Sequence, residues 1–319
     1  MPVPPTQNDL LRKRSSILSE QSRQFYWQGA GLLSLKTFQG GTAQYRAAGH
    51  ARYAVDARVY LILNHGQHYE IEIDAPTPVQ SFCLFFRKGM VEQVQHNLIA
   101  TSESLLDDPS KTAEPIHFFE RTYPHGESGD LLSPYLLELR QEWDIRRHDG
   151  MGSGGAGRDP FALEERLWTA ASLLLCQHRR VCRESERLNA VRPATREELY
   201  RRLHLAHDFA DACFAEPLSL DDMAAVACLS PNHLLRTFPL LFGKTPHQYL
   251  TERRLAEARR LLRETELPVT DICCHVGFVS LGSFSSLFAR RHGGLSPEHY
   301  RHRKVGDFEE APRNDFVLP

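Results

Sequence analysis

The sequence lacks any long apolar run. No stretch of its 319 residues approaches the roughly 18 consecutive apolar residues that a membrane helix needs, so a spanning protein is not expected. It also lacks an excess of one charge. Lys and Arg total 38 against 40 Asp and Glu, a net charge of −2, and this excludes the strongly basic balance of a histone-like protein. Any contact with nucleic acid has to come from a local patch. Cysteine is sparse and irregular: seven in all, an odd number, with only Cys273 and Cys274 adjacent and no recurring metal-type pair. Residues 1–9 are proline-rich and polar, with no apolar stretch behind a basic one. Without an export signal the expected setting is the cytoplasm, with reduced thiols. Also missing are paired catalytic carboxylates, a Ser/His/Asp arrangement and a glycine-rich phosphate loop followed by lysine. No catalytic residue, cofactor site or metal site is therefore assigned, and an enzyme is not expected.

What is present is ordinary globular composition, 41% hydrophobic and 24% charged, at a length that suits two or three domains. Residues 1–30 read as a polar arm with a short aromatic cluster, Phe25-Tyr26-Trp27. Residues 31–128 carry short β-type runs. Val59-Tyr60-Leu61-Ile62-Leu63 ends at the turn signal Asn64-His65-Gly66, and Tyr69-Glu70-Ile71-Glu72-Ile73 alternates as a half-exposed strand does. Residues 74–78 break that strand; Ser81-Phe82-Cys83-Leu84-Phe85-Phe86 and Ile116-His117-Phe118-Phe119 read as further strands. Such a series implies a β-sandwich or small barrel.

Residues 129–193 turn helical. Leu131, Leu132, Tyr135, Leu136 and Leu139 share one helical face, and Leu163, Leu167, Ala170, Ala171 and Leu174 share another. Between them residues 150–157, GMGSGGAG, read as a flexible linker. Either face serves intradomain packing or a dimer seam.

From residue 194 onward the chain is helical and contains an internal repeat. The first unit runs Leu218-Ser219-Leu220-Asp221-Asp222-Met223-Ala224-Ala225-Val226-Ala227-Cys228-Leu229-Ser230-Pro231. Ser230 is an N-cap and Pro231 a first helical residue, so a second helix starts there, exposing Asn232, His233, Leu235 and Arg236 and burying Leu234 and Phe238. The second unit runs Val269-Thr270-Asp271-Ile272-Cys273-Cys274-His275-Val276-Gly277-Phe278-Val279-Ser280. Cys273 takes the small-residue place of Ala224, where two helices cross closely, and Gly277 takes the turn place of Cys228, four residues on in both. Its second helix exposes Leu281, Gly282, Ser283, Ser285 and Ser286 and buries Phe284 and Phe288. The tails agree as well. Each has a phenylalanine, Phe238 or Phe288, then a glycine five on, then Thr245-Pro246 or Ser296-Pro297, then Tyr249 or Tyr300.

These spaced agreements over residues 199–303, with Arg253-Arg254-Leu255-Ala256-Glu257-Ala258-Arg259 between the units, resemble the C-terminal domain of the AraC family of bacterial regulators. Residues 31–128, through Tyr60 to Gln67 and the strand at 81–86, resemble the family's cupin-like sensor half. The fold class implied is α+β: a β-rich cupin-like barrel with helices, then an all-α domain (194–304) with two helix-turn-helix units, then a tail (305–319). The resemblance implies an activator-type transcriptional regulator whose partners are double-stranded DNA, a second copy of the chain, RNA polymerase and a small-molecule effector. On this reading Asn232, Leu235, Arg236, Leu281, Gly282, Ser283, Ser285 and Ser286 face base edges. Ser230, Lys244, Thr245, Ser280, Arg290 and Arg291 face the phosphate backbone. Pro239 late in the first recognition helix, an extra residue after Gly293, and His292 in an aromatic position depart from the usual pattern. The alternatives are a cupin-type metalloenzyme fused to a DNA-binding domain, for which His50, His65, His68 and Cys83 are the available ligands, and a ligand-independent regulator controlled by a protein partner.

Overall fold

The computed structural model describes residues 15–47, 51–99, 115–127, 129–148, 160–188 and 192–302. The linker read at 150–157 and the tail at 305–319 lie outside them. The architecture is α+β, as expected. Seven strands form one antiparallel, nearly closed sheet: β1 (Ser16–Ala30), β2 (Leu33–Gln39), β3 (Ala43–Ala47), β4 (Arg52–Val55), β5 (Val59–Leu63), β6 (His68–Phe86) and β7 (Thr122–Pro124). The path runs β4-β3-β6-β2-β5-β7, and β1 pairs with β6 alongside it.

Three expectations for this half are corrected. The second part of the polar arm is strand β1, paired with β6 from Ser16↔Phe85 to Ala30↔His68; of its aromatic cluster Phe25 and Trp27 pack inward, with the Trp27 and Tyr69 rings 4.9 Å apart, and Tyr26 is exposed. The segment at 74–78 does not end a strand. β6 runs through it, and the β1–β6 register jumps there from Gln24↔Asp74 to Ser22↔Val79. Pro76 and Pro78 fall inside that irregularity, where no ladder donor is needed. Residues 116–119 are not a strand. The Asn64 side chain takes the place of a neighbouring strand: its Oδ1 accepts from Phe118 N at 2.9 Å and its Nδ2 donates to Phe118 O at 2.8 Å.

Side-chain alternation divides the sheet into two faces. The inward face carries Phe38, Tyr45, Tyr53, Leu61, Leu63, Tyr69, Cys83 and Phe85, all buried in one cluster. On β6 the residues between, Phe82, Leu84 and Phe86, are buried on the other face, where the Phe82 ring stands 6.4 Å from Trp143 of a covering helix. The helices that follow the sheet are α1 (Met90–Ile99), α2 (Leu132–His148) and α3 (Pro160–Ser185). Leu132, Leu136 and Leu139 of α2 and Leu167, Ala170, Ala171 and Leu174 of α3 are buried within this unit, so both apolar faces serve internal packing. Leu131 departs from the face assigned to it and is exposed.

Chain compactness groups α4 (Pro193–Ala212), α5 (Leu220–Val226) and α6 (Pro231–Phe242) with the sheet in a first unit. The second unit comprises residues 213–219 with α7 (Pro246–Glu264), α8 (Val269–His275), α9 (Leu281–Arg291) and α10 (Pro297–His302). Its core joins Leu255, Leu262, Ile272, Val276, Phe284 and Phe288. Arg254 ties segment 213–219 to α7 by donating to Phe214 O at 2.7 Å and Glu216 O at 2.8 Å.

Candidate nucleic-acid interface

In the first helix-turn-helix, α5 buries Met223, Ala224 and Val226, and Ala224 is small enough for the close crossing. The turn hinges on Cys228, the one non-glycine with positive φ (51°) among the described residues, whose carbonyl accepts from Arg202 Nη1 of α4 at 3.0 Å. Ser230 then caps α6, its side chain accepting from His233 N at 3.3 Å, with Pro231 in the first turn. Leu234 and Phe238 are fully buried, so Asn232, Leu235 and Arg236 stand exposed on the far side, with His233 half-buried. Arg236 makes no ion pair and keeps its donors free for a base edge or phosphate. Pro239 does not shorten the helix. It sits in the last turn, and Gly243, in the left-handed region at φ 69°, closes that turn by donating to Pro239 O.

The second unit repeats this plan with smaller side chains. Gly277, at φ 86°, occupies the turn place of Cys228. Ser280 caps α9 by accepting from Ser283 N at 3.4 Å, and Phe284 and Phe288 are fully buried. Leu281, Gly282, Ser283 and Ser286 are exposed; Ser285, expected beside them, is half-buried. His292 packs as the aromatic it replaces, stacked 4.1 Å from Phe288 and edge-on to Tyr300, and burial lowers its pKa. The extra residue of the following turn is absorbed by two left-handed glycines, Gly293 and Gly294.

The backbone candidates divide. Thr245 caps α7 through a reciprocal capping box with Gln248, so its hydroxyl already accepts a hydrogen bond. Lys244 and Arg291 both pair with Glu252 of α7, Arg291 at 3.2 Å. Arg290 is exposed and has no ion pair. The basic run along α7 is largely occupied: Arg260 binds Glu257 and Glu264, Arg253 binds Glu257, and Arg263 lies over the Tyr300 ring at 5.2 Å. Glu252 was not legible as a partner of these cations, because residue 291 lies 39 positions from it in the chain.

Sequence reading also missed a buried polar node where α4 meets the sheet. Asp208 accepts from Thr122 N at 2.9 Å and Thr122 Oγ1 at 2.7 Å, and lies 2.9 Å from His207 Nδ1. Arg121 Nη1 is 3.2 Å from His204 Nε2, and the His207 ring stacks on Phe242 at 4.6 Å. Burial, then the charges of Arg121 and His207, holds the His204 pKa well below its ordinary value. His204, His207 and Asp208 are close enough to share a metal ion. The Arg121 guanidinium on His204 and the engaged oxygens of Asp208 favour hydrogen bonding instead. Of the metal candidates named from sequence, His50 lies outside the described residues. His65 Nδ1 accepts from Leu33 N, His68 is exposed and Cys83 faces the barrel interior, so these three are not brought together.

Comparison with known proteins places this geometry. The helix-turn-helix domain family matches residues 223–303. The HTH-type transcriptional activator RhaS of Escherichia coli O157:H7 is 39% identical over 105 residues, 33% of this chain and 37% of RhaS. The probable transcriptional regulator LumQ of Photobacterium leiognathi is 30% identical over 130 residues, 41% of this chain and 45% of LumQ. The matches thus span less than half of these relatives. An AraC-type DNA-binding structure from Chromobacterium violaceum is 33% identical, covering 34% of this chain and 94% of that one, at a TM-score of 0.29. With two capped recognition helices, each entered through a left-handed turn residue, the last third of the chain has the build of the helix-turn-helix domain family that it matches over residues 223–303.

Proposed function

We propose that the protein is a sequence-specific, AraC-type transcriptional regulator in which the first recognition helix sets base preference and the second mainly anchors. The observation that carries this reading is the pairing of exposed Asn232 and Arg236 on α6, two long side chains suited to bidentate base contacts, against the short exposed groups of α9.

Under this proposal the N-terminal barrel senses a small-molecule effector and RNA polymerase is the downstream partner. A second copy of the chain binds through the outward side of α2, where Leu137 and Ile145 stay exposed next to Leu131. No helix among the described residues is long and apolar enough to cross a membrane. The test is binding of the full-length protein to duplex fragments from its own genomic neighbourhood. The expected result is a preferred fragment whose affinity falls steeply with salt. Absent or salt-insensitive binding overturns the reading.

A further inference from the structure

The two recognition helices differ most in their first turns. Counted from the capping serines, Asn232 and Arg236 of α6 correspond to Gly282 and Ser286 of α9, two and six residues on. Residues 276–289 hold neither an acidic nor a basic side chain. The long donors of the first unit thus have no counterpart in the second, and a base edge comes within reach of α9 only if the helix itself lies close to it.

Gly282 supplies that closeness. It is exposed in the first turn of α9, and a Cβ there would meet only the Ser280 hydroxyl, at 3.8 Å. At Gly277 a Cβ would lie 2.8 Å from the Ala215 carbonyl oxygen; nothing in the fold makes the same demand at 282. Glycine weakens a helix relative to alanine, so the reason for this one lies outside the fold.

Apolar side chains stand on either side of it in sequence. Val279 is wholly exposed, the most exposed large hydrophobic residue among those described, and Leu281 is 42% exposed. This turn is one residue longer than that of the first unit: Phe278 and Val279 separate Gly277 from Ser280, where Leu229 alone separates Cys228 from Ser230. Phe278 packs inward, its ring 5.3 Å from that of Phe284, and Val279 is left at the tip. A single exposed valine is ordinary. A stiff, β-branched one beside a leucine and a glycine without an internal role, at the start of a recognition helix, is a surface shaped for apolar groups. The major groove offers one such group, the C5-methyl of thymine.

We propose that the first turn of α9 lies directly on the base edges, with Gly282 at the point of closest approach and Val279 and Leu281 against thymine methyl groups. The second unit then adds a preference for thymine to its anchoring. This rests on the reading of the chain as a DNA-binding regulator, and it names what the second unit recognises.

The experiment uses the full-length protein, the duplex fragment it prefers, and copies of that duplex in which single thymidines are replaced by deoxyuridine, which pairs alike and lacks the methyl. For the unmodified protein at least one replacement should weaken binding about three- to four-fold, the worth of one buried methyl. In the double variant Val279→Ser, Leu281→Ser the cost of that replacement should shrink to within about 1.5-fold. Gly282→Ala should bind the unmodified duplex about five-fold or more weakly while melting no lower than the parent. The inference is overturned if no replacement has a cost that disappears in the double variant, or if Gly282→Ala binds as tightly as the parent. Either variant melting well below the parent also overturns it, because the substituted residues would then serve the fold. A preferred fragment with no thymine-methyl sensitivity refutes this inference and leaves the parent reading standing; binding to no fragment refutes both.

Discussion

Exchanging residue types between the two turns should shift stability in opposite directions. Gly277 and Cys228 hold the same place, both with positive φ. In Gly277→Ala the new residue sits in the left-handed region at a cost of about 1–2 kcal/mol. Its Cβ would also lie 2.8 Å from Ala215 O and 3.0 Å from Phe214 O. Those are backbone atoms, and Phe214 O is held by Arg254 at 2.7 Å, so they cannot withdraw cheaply. Restricting the unfolded chain returns roughly 0.5–1 kcal/mol, leaving a net loss of about 3 kcal/mol once the clash is included. Cys228→Gly removes the same backbone strain, and because the thiol is exposed little packing goes with it. Set against glycine's greater unfolded-state entropy, the variant should gain about 0.5–1 kcal/mol. The two effects can be read separately. Trp27, Trp143 and Trp168 are the only tryptophans, and all three lie in the unit that contains Cys228, so their fluorescence in urea follows that exchange. Amide exchange at Ile272 and Val276 follows Gly277. A Gly277→Ala protein with unchanged protection in α8, or a Cys228→Gly protein with a lower urea midpoint, refutes the argument that a left-handed turn is the shared constraint.

Arg236→Ala should weaken operator binding by about 1–3 kcal/mol and relax preference at one or two base pairs, while Ser286→Ala should cost much less; titration against half-site variants decides, and the reverse order would reassign the two units. His204 is held neutral in the fold, whereas the unfolded chain takes up a proton as pH falls through about 6.5, so its contribution to stability is full above that pH and lost below it. His204→Gln keeps an acceptor for Arg121 without titrating, and its melting temperature should fall less than the parent's between pH 7.5 and 5.5; an identical fall would show that other groups set the slope. Leu137→Glu with Ile145→Glu should shift sedimentation toward monomer, and an unchanged sedimentation coefficient would remove α2 from the proposed dimer contact.

Local chemistry was legible wherever it acts within a few residues. The Ser230 cap, the small residue at Ala224 and Cys273, the shared turn place of Cys228 and Gly277 with positive φ at the glycine, and the buried phenylalanines all follow from spacing, and the structure has them. What spacing could not reveal are partners distant in sequence. Strand β1 looked like an arm because its partner, β6, starts 38 residues after β1 ends. The stretch at 116–119 looked like a strand because nothing local shows that the Asn64 side chain satisfies its backbone. Nothing in the spacing singles out Asp208 and His204, yet both are buried against residues 121 and 122. Ser285 shows the finer limit: periodicity placed it on the exposed side, yet it lies three residues before the fully buried Phe288, its neighbour on the helix surface, and is half-buried there.

Under the proposed function, the shared hold of Glu252 on Lys244 and Arg291 has a consequence for how the protein would search a genome. A carboxylate between two cations imitates the phosphate they would otherwise grip, so each must give up an internal bond before taking an external one. Cations neutralised from within would take fewer phosphates and so free fewer of the counterions condensed on the duplex, and indiscriminate attraction to any duplex would be damped to that extent. Under the proposed function Glu252 would be a built-in competitor, set at fixed local concentration, that random sequence has to outbid and that a well-fitted operator displaces with the help of its base contacts.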